Sequence, residues 1–190
     1  PSFLANWRRY HQALRQRNAA LKLERGDDDL AAWEIELAVS GESLARQREA
    51  YLARIAGPLG TLGTALLDRP ITLVHSAGWD ADRPLLEILQ AGRPRDRRYR
   101  ATQAGPHRGD VSVQVGGRAA KDQVSRGQQK LVAAALMLAQ LEIQEQERPG
   151  RSALLLDDPA AELDRENLAR LMAIVQKLPL AYAKDLQEDK

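Results

Sequence analysis

The residues of this chain best suited to chemistry fall in three short stretches of its last third. Ala153-Leu154-Leu155-Leu156-Asp157-Asp158 is an apolar run ending in two carboxylates. It predicts a short buried strand, and open α/β sheets bind ligands at the carboxyl ends of such strands. An aspartate there can hold Mg2+, and a neighbouring carboxylate can orient or deprotonate an attacking water. Adjacent acids repel each other, so the pair suits a site that draws on a cation. Upstream, Ser125-Arg126-Gly127-Gln128-Gln129 opens an apolar helix from about Lys130 to Ile143. Serine caps a helix by accepting from a free backbone N–H, and exposed amides at a helix start attract anions. Downstream, Ala161-Glu162-Leu163-Asp164 leads into a helix over 165–176 with Asp164 as its cap. Each stretch alone has a bland reading as a capped helix or a strand end.

The elements that must position these residues change character along the chain. Phe3, Trp7, Tyr10, Leu14 and Leu21 form one apolar stripe, with Arg17 as its polar break. Leu30, Trp33, Leu37, Leu44, Tyr51 and Ile55 form a second. Steps of three and four mark helices with one apolar face. Gly26 can end the first helix and the Asp27-Asp28-Asp29 run can cap the next. The expectation is an antiparallel hairpin with its aromatics in the core, stopped at Gly57-Pro58. From Ile71 to His75 a strand is expected, then a short helix over 85–89 ended by Gly92. Val111, Val113 and Val115 alternate with polar residues as a half-buried strand does, and Gly116-Gly117 makes a two-residue hairpin turn. The expected organisation is a mainly helical domain over 1–98 and an α/β part over 99–190.

Composition bounds the rest. A hydrophobic fraction of 44% fits a soluble globular chain. The longest apolar run, Leu131 to Ala139, falls well short of the roughly 20 residues that span a bilayer. There is no cysteine, hence no disulfide or thiolate site, and no secretory signal can be read, so a cytoplasmic protein is expected. Net charge is only +2, but Arg93, Arg95, Arg97, Arg98 and Arg100 crowd together. That cluster is either a phosphate-binding surface or a solvated arginine-rich loop. His11, His75 and His107 have no metal-ligand spacing, and no Ser/His/Asp nucleophile can be argued.

The order of the three stretches narrows the reading. Ser125 lies 32 residues before Asp157, and the Glu162-Leu163-Asp164 loop follows at once. This resembles the ABC-type ATPase head of the SMC and RecF group: signature motif, Walker B, then D-loop. Within that group the wording is similar to the RecF family. The supporting stretches are Pro1-Ser2-Phe3, Ala13-Leu14-Arg15-Gln16-Arg17-Asn18, Gly105-Pro106-His107-Arg108, Ser125 to Leu131, and Leu155 to Asp158 with Glu162-Leu163-Asp164. The resemblance covers residues 1 to about 178. It implies an α/β mixed fold, a helical hairpin followed by the C-terminal part of a P-loop NTPase head.

The resemblance also implies a function. RecF-type proteins are cytoplasmic DNA-binding ATPases of replication, recombinational repair and the SOS response. They act at single-strand gaps to help load recombinase, with mediator proteins such as RecR. ATP and Mg2+ would be held between two protomers of an ATP-dependent homodimer. By position, Ser125, Arg126, Gly127 and Gln128 would meet the γ-phosphate of ATP held by the partner. Asp157 would bind Mg2+, Asp158 would take the place of the catalytic acid, and Asp164 would join the two sites. The arginines from Arg93 to Arg100 would be the candidate DNA contacts.

Two features depart from the family pattern. No Gly-Lys dipeptide occurs, so the Walker A loop is absent from this sequence, and the chain is expected not to hydrolyse ATP alone. The tail from Leu178 to Lys190, broken by Pro179, resembles a short segment of argininosuccinate lyase instead of a sheet strand. The alternatives are another SMC-type head, against which the short hairpin argues, and a helical interaction module whose ATPase motifs are idle.

Overall fold

A computed structural model of the chain describes residues 2–157, 159 and 163–178. Asp158, Glu162 and the tail from Pro179 lie outside the described residues, and with them the lyase-like segment. Two compact units form: Pro1–Leu52 with Val74–Ser112, and Ala53–Leu73 with Val113–Lys190. The sequence suggests a single cut at 98/99. The units divide the chain differently because one long helix and two strands supply residues to both.

In the first unit, α1 (Phe3–Lys22) starts on Ser2, whose hydroxyl accepts from the Ala5 amide at 3.3 Å. Helix α2 (Asp27–Leu67) begins with three aspartates at its positive dipole end. The two run antiparallel. Asn6 donates to Ser43 at 2.8 Å, Arg9 grips Glu36 at 2.7 and 3.0 Å, and Arg17 reaches Glu34. Tyr10, Ala13 and Leu14 of α1 pack with Leu37, Ala38 and Leu44 of α2. Leu85 and Leu89 of α3 (Leu85–Ala91) close that core.

The expected burial of every stripe aromatic fails at one end. Tyr10 is buried, but Phe3, Trp7 and Tyr51 are exposed. Near the start of α1 the seam turns polar, with Asn6 donating to Ser43 and Gln47, and the aromatics beyond it stay at the surface.

The second unit corrects two expectations. Gly57-Pro58 does not stop α2, which continues to Leu67. Proline in a helix interior forfeits one backbone hydrogen bond and crowds the carbonyl four residues earlier, at a cost of about 3 kcal/mol. The residues beyond it, Leu59, Leu62, Leu66 and Leu67, are all buried, and their transfer from water outweighs the loss at roughly 1.5–3 kcal/mol each. The returning chain crosses this helix at Gly63, where a Cβ would run into the Ile71 backbone nitrogen and lie 2.7 Å from its Cγ1. Only glycine admits that crossing.

A three-stranded sheet has the order β1 (Ile71–Ser76), β2 (Asp110–Val115), β3 (Arg118–Ala119). β2 and β3 pair antiparallel, Val115 against Arg118, across Gly116 and Gly117, which both take positive φ as the expected turn requires. Short helix α5 (Ala120–Gln123) leads to α6 (Arg126–Glu147), and α7 (Arg165–Val175) follows. Arg54 of α2 pairs with Glu147 at 2.6 Å, and Arg170 of α7 with Asp68 at 2.7 Å.

The second correction concerns the predicted strand at 153–157. It is not formed: these residues carry no strand, and Leu155 is 92% exposed. An apolar run becomes a buried strand only beside a neighbour that completes its ladder. None of the described strands pairs with it.

Candidate functional site

The start of α6 is built as a capping box. The Gln128 amide donates to Ser125 Oγ at 3.3 Å, and the Ser125 amide donates to Gln128 Oε1 at 3.1 Å. Ser125 and Arg126 are exposed, and Gly127 lies between them and Gln128 in the first turn. At Gly127 a Cβ would meet nothing within 4 Å, and its φ makes no demand for glycine. The packing around this position therefore leaves room for a side chain.

Asp157 is exposed, with no hydrogen bond or ion pair among the described residues. Earlier in the chain, buried Glu145 near the end of α6 holds the turn that follows that helix. The Gly150 amide donates to Glu145 Oε2 at 2.7 Å and the Ser152 amide to Oε1 at 2.9 Å. Ser152, then the Gly150 amide, hold this carboxyl below the usual carboxylate range against the opposing effect of burial. Asp164 caps α7, accepting from the Asn167 amide at 2.8 Å and from Asn167 Nδ2 at 2.7 Å. The structure brings Ser125 and Gln128 together. No hydrogen bond joins them to Asp157 or Asp164 among the described residues.

A hard dication that keeps several waters needs only one or two carboxylates. Exposed, unpaired Asp157 fits that role. Among the described residues no group of three or more His, Cys, Asp or Glu side chains forms a metal cage.

The arginine cluster is a helix, not a loop: α4 (Arg93–Tyr99), with Pro94 in its first turn. Its arginines divide into two sets. Arg93 grips Glu34 at 2.6 Å and reaches Asp27 at 3.2 Å. Arg97 pairs with Asp27 at 2.6 Å and donates to the Arg25 carbonyl, and Arg100 meets Glu24 at 3.3 Å. The hydrogen bond from Arg97 holds the Asp27 carboxyl below its usual range. Arg95 and Arg98 make no ion pair among the described residues, and both guanidiniums lie 6.0 Å from the ring of Tyr99.

Sequence reading missed what α4 closes over. Arg17, its stripe's polar break, is fully buried. It donates to Glu34 at 2.9 Å, to Asp96 at 2.6 Å and to Thr102 at 2.8 Å. With Arg93 this makes two cations against two carboxylates. The signal was present: Arg17 falls on the apolar stripe three residues after Leu14.

The Gly105-Pro106-His107-Arg108 stretch is likewise a structural latch. Gly105 has φ +128°, and a Cβ there would lie 2.5 Å from Tyr10 Oη. The Pro106 carbonyl accepts from Arg48 at 2.8 Å. Tyr10 and His107 Nδ1 are 2.6 Å apart, and His107 Nε2 is 2.9 Å from the Thr102 carbonyl. A carbonyl only accepts, so Nε2 carries the proton and Nδ1 accepts from the Tyr10 hydroxyl. Burial lowers the His107 pKa, opposed by the bond to Thr102.

None of the family models compared matches the chain. Curated relatives do. It is 38% identical over 180 residues to the DNA replication and repair protein RecF of Stutzerimonas stutzeri, covering 93% of this chain and 48% of the relative. With the RecF of Chromohalobacter salexigens it shares 44% identity over 165 residues, covering 85% and 45%. This chain is a homologue of the RecF proteins. It spans about half the length of the RecF relatives it matches. A solved structure described as the recombination mediator protein RecF-ATP in the RecFOR pathway superposes with a TM-score of 0.80. Identity there is 25%, covering 97% of this chain and 54% of that one. A second RecF structure, with an ATP analogue, gives a TM-score of 0.77 at 26% identity. The mixed fold, largely helical with a small sheet, is therefore that of RecF ATPase chains over this span.

Proposed function

We propose that this chain is the signature-bearing C-terminal part of an ATP-switched DNA-binding protein of RecF type. It serves DNA replication, recombinational repair and the SOS response in the cytoplasm, helping to load recombinase at single-strand gaps. The observation that carries this reading is the start of α6: an exposed capping serine, and a glycine at which a side chain would meet nothing. Similarity to RecF chains solved with ATP and with its analogue supports it.

In this reading the α6 amides, with Ser125 and Gln128, receive the γ-phosphate of a nucleotide held by a second protomer. Asp157 holds Mg2+, which supplies charge neutralisation at the phosphates. Asp158, outside the described residues, orients the attacking water, and Asp164 couples the two sites of the dimer. Phosphoryl transfer asks for positioning and electrostatics more than covalent help, which suits residues arranged on helix starts. The Gly-rich phosphate loop is not among these 190 residues, so the site is completed by another polypeptide segment. A RecR-type mediator and gapped DNA are the proposed partners.

The test is ATP hydrolysis with and without a co-expressed RecF segment bearing the Walker A loop. Activity should arise only in the complemented protein and be lost in Asp157→Ala. A folded, assembled pair that never turns over ATP would move the assignment to a helical interaction module.

A further inference from the structure

The two sets of arginines on α4 have different chemistry available to them. Arg93, Arg97 and Arg100 are neutralised by Glu34, Asp27 and Glu24, and Asp96 is taken by Arg17. What remains at the surface is Arg95, Arg98 and Tyr99, with Tyr99 57% exposed. Both guanidiniums sit 6.0 Å from the ring centroid, at the outer edge of cation–π attraction. The two cations lie over the ring at that distance, and their donors stay open to solvent.

We infer that Tyr99, flanked by Arg95 and Arg98, is a stacking platform for an unpaired base of single-stranded DNA, with the two guanidiniums gripping adjacent phosphates. The inference rests on the DNA-binding reading above and narrows it to three residues and one form of DNA. Its ligand must offer anions and a flat π-face within a few ångströms of each other. A single strand does so at every nucleotide, because its bases can turn outward to an aromatic side chain. Duplex DNA offers the phosphates but keeps its base faces stacked. An acidic protein segment would use the arginines and leave the ring idle. Arg93 and Arg97 would each first have to leave a carboxylate, and Arg100, in an exposed pair with Glu24, is not among the cations over the Tyr99 ring.

The experiment is fluorescence anisotropy with the full chain and three labelled probes: a deoxythymidine oligomer, a duplex of equal length, and an abasic oligomer with the same number of phosphates. Tyr99→Ala should weaken binding to the thymidine oligomer about tenfold or more, within the range that loss of one base–aromatic stack produces. Binding to the duplex and abasic probes should not change. Tyr99→Phe keeps the ring and should bind the oligomer like the parent chain. The double variant Arg95→Ala/Arg98→Ala should weaken all three probes. It should also flatten the salt dependence for the single strand by about 1.4 in slope, at ~0.7 for each phosphate no longer neutralised.

Equal losses on all probes in Tyr99→Ala, or no loss on any, would overturn the stacking role while leaving DNA binding in place. Displacement of the oligomer by polyglutamate as readily as by unlabelled oligomer would make the surface a protein-anion site and overturn it too. A chain that binds none of the probes would overturn this inference, whereas the ATP-switched DNA-binding reading falls only if the protein complemented with the Walker A-bearing segment also binds none in ATP.

Discussion

Arg17 carries a full charge into a position where the helix period calls for a leucine. Its guanidinium is surrounded by Glu34, Asp96, Thr102 and the Leu89 carbonyl, and no buried side-chain polar atom is left without a partner among the described residues. Removing one member of a buried ion pair strands the others, at a typical cost of 3–5 kcal/mol. Arg17→Ala should therefore lower unfolding free energy by about that amount in urea titration, whereas Arg9→Ala, at an exposed pair, should change little. His107 offers a second test. Its folded pKa is lowered, so below about 6.5, the ordinary histidine value, the unfolded chain takes up protons that the native latch resists. Stability should be complete above that pH and decline as pH falls from it toward the folded pKa. Acid titration of the unfolding midpoint would show this, and His107→Gln should remove that part of the slope. Arg108 and His11 add to the lowering and Asp96 opposes it, so the substitution isolates the histidine itself.

At the scale of elements, the helices and the hairpin turn were legible because periodicity and turn chemistry are local. Ser125 announced the start of α6 and Asp164 that of α7, and Gly116-Gly117 announced the β2–β3 turn. What local signals could not weigh was tertiary burial. Pro58 reads as a stop, yet four buried leucines beyond it hold α2 in register. Pro58→Ala should consequently raise stability by on the order of 1–3 kcal/mol, read as a higher urea midpoint. Leu154 to Leu156 read as a strand for the same reason, because hydrophobicity without a paired neighbour does not make one. The arginine cluster was visible as charge, but its division depended on acids 59 to 76 residues away in the chain. Glu145 gives this scale a pH test of its own. Its carboxyl is depressed, so the turn at 148–152 gains support above the ordinary carboxylate value of 4.5 and loses it as pH falls through the folded value. Protection of the Gly150 and Ser152 amides, relative to their intrinsic exchange at each pH, should fall over that interval, and Glu145→Gln should lower it at neutral pH.

At the scale of the whole molecule, the proposed function requires the start of α6 to stay open for a nucleotide held elsewhere. Stability and function then make opposite demands on Gly127. An acidic side chain there meets no neighbour and complements the helix dipole, worth about 0.3–1 kcal/mol, but it would meet a phosphate with like charge. The most direct measurement is sedimentation velocity of the chain joined by a Walker A-bearing RecF segment, with and without ATP, comparing the parent sequence with Gly127→Asp. ATP-dependent dimerisation is expected in the parent and none in Gly127→Asp, whose unfolding midpoint should be unchanged or higher. Dimerisation that ignores ATP, or that persists undiminished in a folded Gly127→Asp, would contradict the proposed function.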